Sequence, residues 1–519
     1  MRPLISRASA KTDHEENPNI VLIMTDDQGP WALGCAGTPE LRTPVLDQMA
    51  AEGMRFENFY CTSPVCSAAR ASILTGRIPS NHGVLDWLRG GAMKGDQKHK
   101  RIDPALSQDP SDGNEPIEYL EGIKGYTDYL AENGYVCGLS GKWHLGHSVK
   151  PQKSFDMWFP CQYGGGAYYA TPMIKDGQPY VENSGYITDV ITDKALGFID
   201  EYAGKKPFYL SVHYTAPHSP LIDNHPQDLV DSYDDCGFPS IPRLPIRDET
   251  TWKPFPEPET EEWKESLKGY FAAITAVDLN VGRILEKLKE RGIDENTLVI
   301  FTSDNGFSCG HHGFWGKGNG TYPINMYDNS IKVPAIFRHP GTIPAGIVTD
   351  IMVSQYDFMP TVLHYAGIDA ELQDNEKLPG RSFADALRGI EGAGDDMIVV
   401  YDEYGPVRMI RDKKYKYIHR YYYDRQELYD MENDPGEEHN LINDPAMTDI
   451  VLTMRKKLKT WFIQYADPDK DALKEGVTGN GQMDWAGSKG YHQWPEHDTT
   501  KGEILSGKAV DNPFSNRQK

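Results

Sequence analysis

Four stretches of this sequence place carboxylates or bases just past a short apolar run. Asn19-Ile20-Val21-Leu22-Ile23-Met24-Thr25 leads into Asp26-Asp27, and Thr297-Leu298-Val299-Ile300-Phe301-Thr302-Ser303 leads into Asp304-Asn305. Three carboxylates and one amide oxygen form an all-oxygen donor set, which suits a hard cation such as Ca2+ or Mg2+. Taken singly, Asp-Asp reads as a turn and Asp-Asn-Gly as a hairpin turn; that both follow the same kind of run favours a site. A third run ends in Gly141-Lys142-Trp143-His144 and a fourth in Ala216-Pro217-His218, while Lys317 stands in the Gly-rich stretch Phe314 to Gly320.

The segment Cys61 to Arg77, CTSPVCSAARASILTGR, adds a different kind of group. Ala68 to Thr75 has helical composition and Gly76 is a natural helix stop. Cys66 then lies at or just before the helix N-terminus, with Arg70 one turn in on the same side. A helix N-terminus beside an arginine stabilises an anion, either a thiolate or a bound oxyanion. The plainer reading of a lone cysteine is a small core residue. Taken together, the metal set, Cys66, Arg70, Lys142, His144, His218 and Lys317 make an inventory for hydrolysing an ester of a tetrahedral oxyanion.

The elements that must position these groups follow from the patterning. Continuous apolar runs read as strands buried on both faces. Between them lie helical patterns: Thr43 to Gly53 with Thr43 as N-cap and Pro44 in the first turn, Tyr119 to Asn133, Asp189 to Tyr202, and Glu261 to Arg291. Alternating strands and helices predict an α/β domain with a mostly parallel sheet, whose sites form at the carboxyl ends of the strands. After about Gly394 four short runs (397–404, 407–412, 415–423 and 426–430) predict an antiparallel sheet, closed by a helix from Asp444 to Tyr465. The expected division is a polar segment 1–18, a catalytic domain 19–394, and a C-terminal sheet subdomain with a tail, 395–519. Asp223 to Pro258, rich in Pro and Asp, reads as a long loop or an insertion.

Composition narrows the partners. The chain has 519 residues, 53 Lys+Arg and 76 Asp+Glu, a net charge of −23. That balance argues against nucleic acid or an anionic membrane surface as the main partner. Seven cysteines without a C-x-x-C pair are neither a disulfide framework nor a zinc pattern. No apolar stretch has the length of a bilayer span or the form of a signal peptide, so the chain as numbered reads as cytoplasmic, or exported if a leader has been removed.

With these motifs assembled, Cys66-Ser67-Ala68-Ala69-Arg70 followed by Thr75-Gly76 resembles the signature of the type I sulfatases of the alkaline phosphatase superfamily, in which the cysteine is oxidised to Cα-formylglycine. Asn19 to Gly29 resembles that family's first metal strand, Gly141 to Gly146 its Lys-and-His motif, Ala216-Pro217-His218 its leaving-group histidine, Thr302 to Gly306 its second metal pair, and Glu427 to Leu441 its C-terminal signature. The resemblance implies an alkaline-phosphatase-like α/β/α sandwich with a smaller C-terminal subdomain. It implies a sulfuric ester hydrolase, with Ca2+ (or Mg2+) held by Asp26, Asp27, Asp304, Asn305 and the converted Cys66. The implied chemistry is attack on sulfur by a hydroxyl of the hydrated aldehyde, with Asp304 as base. Arg70 and Lys142 hold the hydrate; Lys317, Lys142 and His218 neutralise sulfate oxygens; His218 or Lys317 protonates the leaving alcohol; His144 takes the proton from the second hydroxyl. Ala68 stands where the family usually has Pro, which implies an anaerobic radical-SAM maturase as partner. A carbohydrate sulfate is the first expectation for substrate and an aryl or steroid sulfate the second. The rivals are a phosphate or phosphonate ester hydrolase of the same superfamily and a glycan-binding protein on an inactive scaffold. His82, Asp86, Trp87, Arg89, His311, His312 and Trp315 are expected at the rim of the pocket.

Overall fold

Ile20, Leu22 and Met24 belong to one core and Val21 and Ile23 to another, so the first strand alternates between two buried faces. It is the centre of the sheet in the computed structural model, which describes residues 17–88, 117–251, 256–390, 394–403, 405–421, 425–471, 482 and 486. In chain order the strands are β1 (Asn19–Thr25), β2 (Met54–Tyr60), β3 (Val136–Lys142), β4 (Met157–Cys161), β5 (Thr171–Lys175), β6 (Gln178–Glu182), β7 (Phe208–His213) and β8 (Thr297–Ser303). A two-residue ribbon follows, β9 (Ser308–Cys309) with β10 (Trp315–Gly316), then β11 (Ala335–Arg338) and β12 (Ile347–Ser354). The main sheet runs β12-β2-β11-β8-β1-β7-β3-β4-β5-β6. From β8 to β4 every pairing is parallel. The sheet turns antiparallel at β11 and in the β5–β6 hairpin.

Helices cover both faces, as a parallel sheet requires. Cys66–Thr75, Tyr126–Glu132 and Phe358–Tyr365 pack on the face of Ile20 and Leu22. Pro44–Ala51, Ile187–Tyr202 and Glu261–Glu290 pack on the face of Val21 and Ile23. The predicted antiparallel unit is present as β13 (Ile398–Asp402), β14 (Val407–Arg411), β15 (Tyr415–Arg420) and β16 (Glu427–Asp430), paired in sequence order. Asp444 accepts from the Ala446 amide, and one 3-10 turn leads into the closing helix Thr448–Tyr465. Among the described residues no helix is long and apolar enough to cross a membrane, and all seven cysteines are free.

The structure departs from the sequence expectations at three elements. The helix expected over Tyr119 to Asn133 spans only Tyr126–Glu132. Gly122 takes a left-handed φ of +76°, and the Asp128 carboxylate accepts from the Gly125 amide, which starts the helix there. The stretch 223–258 is no mere loop: it holds a helix, Gln227–Asp231, and sends Tyr233, Phe238 and Ile241 into a core with Trp263, Leu267 and Phe271. Residues 252–255 of it, residues 1–16 and Arg89 lie outside the described residues.

The third departure concerns a cap. Thr43 occupies the N-cap position, yet its hydroxyl accepts from Gly34 and donates to Asp47. The helix is capped instead by Asp278, whose two oxygens accept from the Val45 and Leu46 amides at 3.2 and 2.7 Å. Burial lifts the Asp278 carboxyl to about 7. A carboxyl raised on folding contributes its stability below the unfolded-state value of about 4, and that contribution is lost as pH rises through the folded value. Asp278→Asn does not titrate, so its melting temperature rises relative to the parent between about pH 4 and about pH 7. A pH-independent gap in a thermal-denaturation series refutes this.

Candidate active site

β1 and β8 are adjacent and parallel, with Thr25 opposite Ser303. Their carboxyl ends therefore release Asp26-Asp27 and Asp304-Asn305 side by side. The Asp304 amide donates to the Thr25 carbonyl at 3.2 Å, and the Asp27 amide to Asp304 Oδ1 at 3.2 Å. Asp27 takes a left-handed φ of +62°, a conformation Asp tolerates better than most residues, and this turns its carboxylate toward Asn305, whose Nδ2 donates to it at 2.7 Å. β3 and β7, on the other side of β1, end in Lys142 and His213.

The helix Cys66–Thr75 begins at this edge, and Gly76 closes it with a φ of +64°. Cys66 Sγ lies 3.4 Å from Asp26 Oδ1 and 2.8 Å from Lys317 Nζ. One atom each of Asp26, Asp27, Cys66 and Asp304 fall within 4.8 Å of one another, all buried. One turn along, Arg70 Nε donates to Asp304 Oδ2 at 2.9 Å and Nη1 to the Lys142 carbonyl at 3.1 Å. Lys142 Nζ pairs with Asp26, and Lys317 Nζ donates to Asp27 Oδ1 at 2.6 Å.

The charges are balanced before any ligand arrives: three carboxylates face the cations of Arg70, Lys142 and Lys317. Burial pushes Asp26 upward and Asp304 reinforces it, against Lys142. Burial pushes Asp27 the same way, but Lys317 and His218 outweigh it and hold the carboxyl below its ordinary range. Burial also opposes ionisation of Asp304, and Arg70, Lys142 and Lys317 overcome it so fully that this carboxyl lies far below its ordinary range. Asp304 is in that state a better charged ligand than proton acceptor. Burial and Asp26 push the Cys66 thiol up to about 12, so the thiolate considered from the helix N-terminus is not favoured here.

Three histidines complete the site. His144 is neutral, because burial and then Lys142 and Arg70 depress its proton affinity well below the ordinary value. Its Nε2 lies 2.9 Å from the Leu88 carbonyl, which can only accept, so the neutral ring carries its proton there and Nδ1 is a bare base. By the same logic Nδ1 of His218 donates to the Ser219 carbonyl at 2.7 Å, and Nε2 faces Asp27 Oδ2 at 3.8 Å. His213 Nδ1 lies 3.2 Å from the Lys142 carbonyl, and burial with Arg70 lowers its proton affinity to about 3. Arg70 Nη2, His144 Nδ1 and His213 Nε2 are buried without a partner within the described protein. Buried polar atoms of this kind call for a bound ligand or water.

All the residues expected at the metal, the nucleophile and the bases thus converge: Asp26, Asp27, Asp304, Asn305, Cys66, Arg70, Lys142, His144, His218 and Lys317. The rim expectation fares differently. His82 is buried, with Nε2 on Ser72 Oγ at 3.1 Å, and Asp86 and Trp315 are buried as well. His311 lies against Trp31, and His312 stacks on Tyr327 with centroids 3.8 Å apart. Trp87 is partly buried against the core. Packing takes up His82, Asp86 and Trp315, whereas Trp87, His311 and His312 remain partly exposed. His213 was missed because it lies inside the apolar run Phe208 to Tyr214; its place as the last residue of that strand was the available signal.

The donor set fits a hard divalent cation: carboxylate oxygens of Asp26, Asp27 and Asp304 and the Asn305 amide, with position 66 beside them. A divalent ion and a sulfate monoester together would add +2 and −1, a net +1, to this cluster of three carboxylates and three cations.

Comparison with known proteins gives a consistent picture. Residues 18–368 match the sulfatase family, and residues 310–464 match the C-terminal region of N-sulphoglucosamine sulphohydrolase. The chain is 28% identical to an N-acetylglucosamine-6-O-sulfatase of Bacteroides thetaiotaomicron, over 92% of each chain. It is 33% identical to the N-acetylgalactosamine-6-sulfatase of Canis lupus familiaris, over 68% of this chain and 62% of that one. A solved structure, described as in complex with its substrate D-glucosamine-2-N,6-O-disulfate, superposes with a TM-score of 0.69 at 24% identity, covering 88% of this chain and 99% of that chain.

The metal reading predicts a stability change that needs no turnover. Adding Ca2+ or Mg2+ to chelator-treated protein raises its melting temperature, by the equivalent of about 2.7 kcal/mol at a hundredfold excess over Kd. Asp26→Asn loses most of this shift. An equal shift in the variant places the ion elsewhere.

Proposed function

We propose, on the premise that this chain belongs to the sulfatase family and is a sulfuric ester hydrolase, that it hydrolyses a carbohydrate sulfate monoester at a formylglycine made from Cys66. The observation that supports this most directly is the place of the Cys66 side chain. It lies among three metal-type carboxylates, Arg70 and Lys317, at a helix N-terminus, where an unmodified thiol is held uncharged. The named relatives act on 6-sulfated N-acetyl amino sugars by their names, and N-acetylglucosamine 6-sulfate is the first substrate to test.

A divalent cation, when bound, would supply Lewis-acid polarisation of a sulfate oxygen, and the hydrated aldehyde made from Cys66 would supply the attacking oxygen. Asp26, Asp27, Asp304 and Asn305 hold the cation. Arg70 fixes Asp304 and the Lys142 carbonyl together, so the metal set and the Lys142 side chain move as one. Lys142 and Lys317 neutralise oxygens of the sulfate as charge builds. His218, when both ring nitrogens are protonated, gives the Nε2 proton to the leaving sugar oxygen while Nδ1 stays bonded to the Ser219 carbonyl. His144, neutral and bare at Nδ1, takes a proton in the step that releases sulfate. Ala68, buried just inside the helix, is the basis for a maturase of the anaerobic radical-SAM type as the partner that converts Cys66.

Two measurements test this. Trypsin releases Phe56 to Arg70 as one peptide with both Cys61 and Cys66. After thiol alkylation of protein made with a maturase, Cys61 carries the label and position 66 carries an aldehyde; alkylation of both refutes the conversion. Cys66→Ala made in the same host loses about 1,000-fold or more of its rate on N-acetylglucosamine 6-sulfate. An aryl phosphate hydrolysed faster than the matching aryl sulfate would move the assignment to phosphate esters.

A further inference from the structure

The loop between β4 and β5 reads Gln162-Tyr163-Gly164-Gly165-Gly166-Ala167-Tyr168, and no role in the site is yet assigned to it. It touches both catalytic histidines. A Cβ on Gly164 would stand 2.2 Å from Cε1 and Nε2 and 2.4 Å from Cδ2 of His144, so the loop backbone lies directly on that ring. A Cβ on Gly165 would stand 2.9 Å from Cε1 and 3.3 Å from Nδ1 of His218. Tyr168, fully buried and stacked on Tyr186, donates from its hydroxyl to the His218 carbonyl at 2.6 Å. One short loop thus presses on the ring of His144, borders the ring of His218 and anchors the backbone of His218.

We propose that Gly164 and Gly165 are positioning residues that set the two histidines separately, Gly164 holding the ring of His144 and Gly165 the ring of His218. The inference rests on the reading of His218 as the acid for the leaving group. The Leu88 carbonyl holds the same Nε2 end of His144 that a methyl at 164 would meet, so that methyl must displace the ring and break the bond. His218 is half-buried, with Nε2 free of a tight partner. A methyl at 165 therefore tilts its ring by a few tenths of an ångström while leaving the metal set and Lys317 in place. Neither glycine has a left-handed φ, so the requirement is for space rather than for backbone conformation.

The two glycines separate in their dependence on the leaving group. A sugar alkoxide must be protonated as it leaves, whereas 4-nitrophenolate leaves without help. Rates are measured with the metal-loaded, converted enzyme on N-acetylglucosamine 6-sulfate and on 4-nitrophenyl sulfate. Gly165→Ala lowers the ratio of the sugar rate to the aryl rate by about tenfold, the size expected for a sub-ångström misplacement of one catalytic group. His218→Ala lowers the same ratio further, by about 100-fold or more. Gly164→Ala slows both substrates together and leaves the ratio near that of the parent. Tyr168→Phe shifts the ratio in the direction of Gly165→Ala. Crystal structures of both glycine variants show the corresponding ring displaced. If His218→Ala changes the ratio and Gly165→Ala does not, or if Gly165→Ala slows both substrates equally, the positioning role is wrong. If His218→Ala itself leaves the ratio unchanged, the acid assignment beneath it falls, and this inference with it.

Discussion

Three carboxylates buried at the end of a parallel sheet cannot stand alone, and the rest of the structure is arranged around that fact. Taking one ion out of water costs several kcal/mol after relaxation. Here Asp26, Asp27 and Asp304 are each met by a cation from a different element: Lys142 from the end of β3, Lys317 from the loop after β10, and Arg70 from the first turns of the Cys66 helix. Removing any one partner leaves an uncompensated buried charge. The ion pairs thereby tie together segments far apart in sequence, the pairing of Lys317 with Asp27 spanning 290 residues. Cys66 sits where all three pairs meet.

The sheet supplies the accuracy this requires. Because β1 and β8 run parallel in register, the two metal-type pairs emerge level with each other, and backbone bonds from Asp304 to Thr25 and from Asp27 to Asp304 fix the turns that follow. The Lys142 carbonyl is a second fixed point, reached by Arg70 and His213 together. Gly141 makes this possible: at φ +107°, with the His213 carbonyl 2.0 Å from where a Cβ would stand, no larger residue fits between β3 and β7 there. The cluster is thus held by backbone geometry first and by side-chain attraction second, as a site needs if it is to keep its shape when metal and substrate change the local charge.

What could be read from the sequence follows the same division. Asp26, Asp27, Asp304, Asn305, Lys142 and His218 were legible because they follow apolar runs, and the ends of buried strands in an α/β sheet converge. Cys66, Arg70 and Lys317 were legible through the spacing of a helix start and a Gly-rich loop. The antiparallel unit from β13 to β16 announced itself as four short runs separated by turns. Contacts made by chance of three-dimensional neighbourhood carried no such mark. The capping of Pro44–Ala51 by Asp278 joins residues more than 230 positions apart, and Thr43 gave the wrong cue at the right place. His82 and Trp315 looked like rim residues because they are polar or aromatic near the motifs, yet tertiary packing buries them. The helix expected from Tyr119 was cut short by Gly122 and Gly125, two residues whose weight in the pattern is small and whose backbone effect is large.

The C-terminal sheet also serves the site, through the loop that delivers Lys317. Asn325 Nδ2 donates to the carbonyls of Lys317 and Gly318 at 3.0 Å each. Arg420, from β15, donates to the Ile324 carbonyl at 3.0 Å, next to that asparagine. Just beyond, half-buried Asp328 pairs with Arg411 of β14 and Lys416 of β15, and the Glu437 carboxylate accepts from Lys416 and from the Asp328 amide. Burial opposes ionisation of Asp328, but Lys332, Lys416 and Arg411 pull its carboxyl well below the ordinary range, so it stays charged. This gives the stretch Glu427 to Leu441 a physical purpose. Its turn brings Glu437, at a left-handed φ of +55°, against Lys416, which completes a second charge cluster with Asp328, Arg411 and Lys332. One charge cluster forms the candidate site; the other lies just past the loop that supplies one of its three cations, a loop that Thr251 also ties at the Asn319 and Gly320 carbonyls.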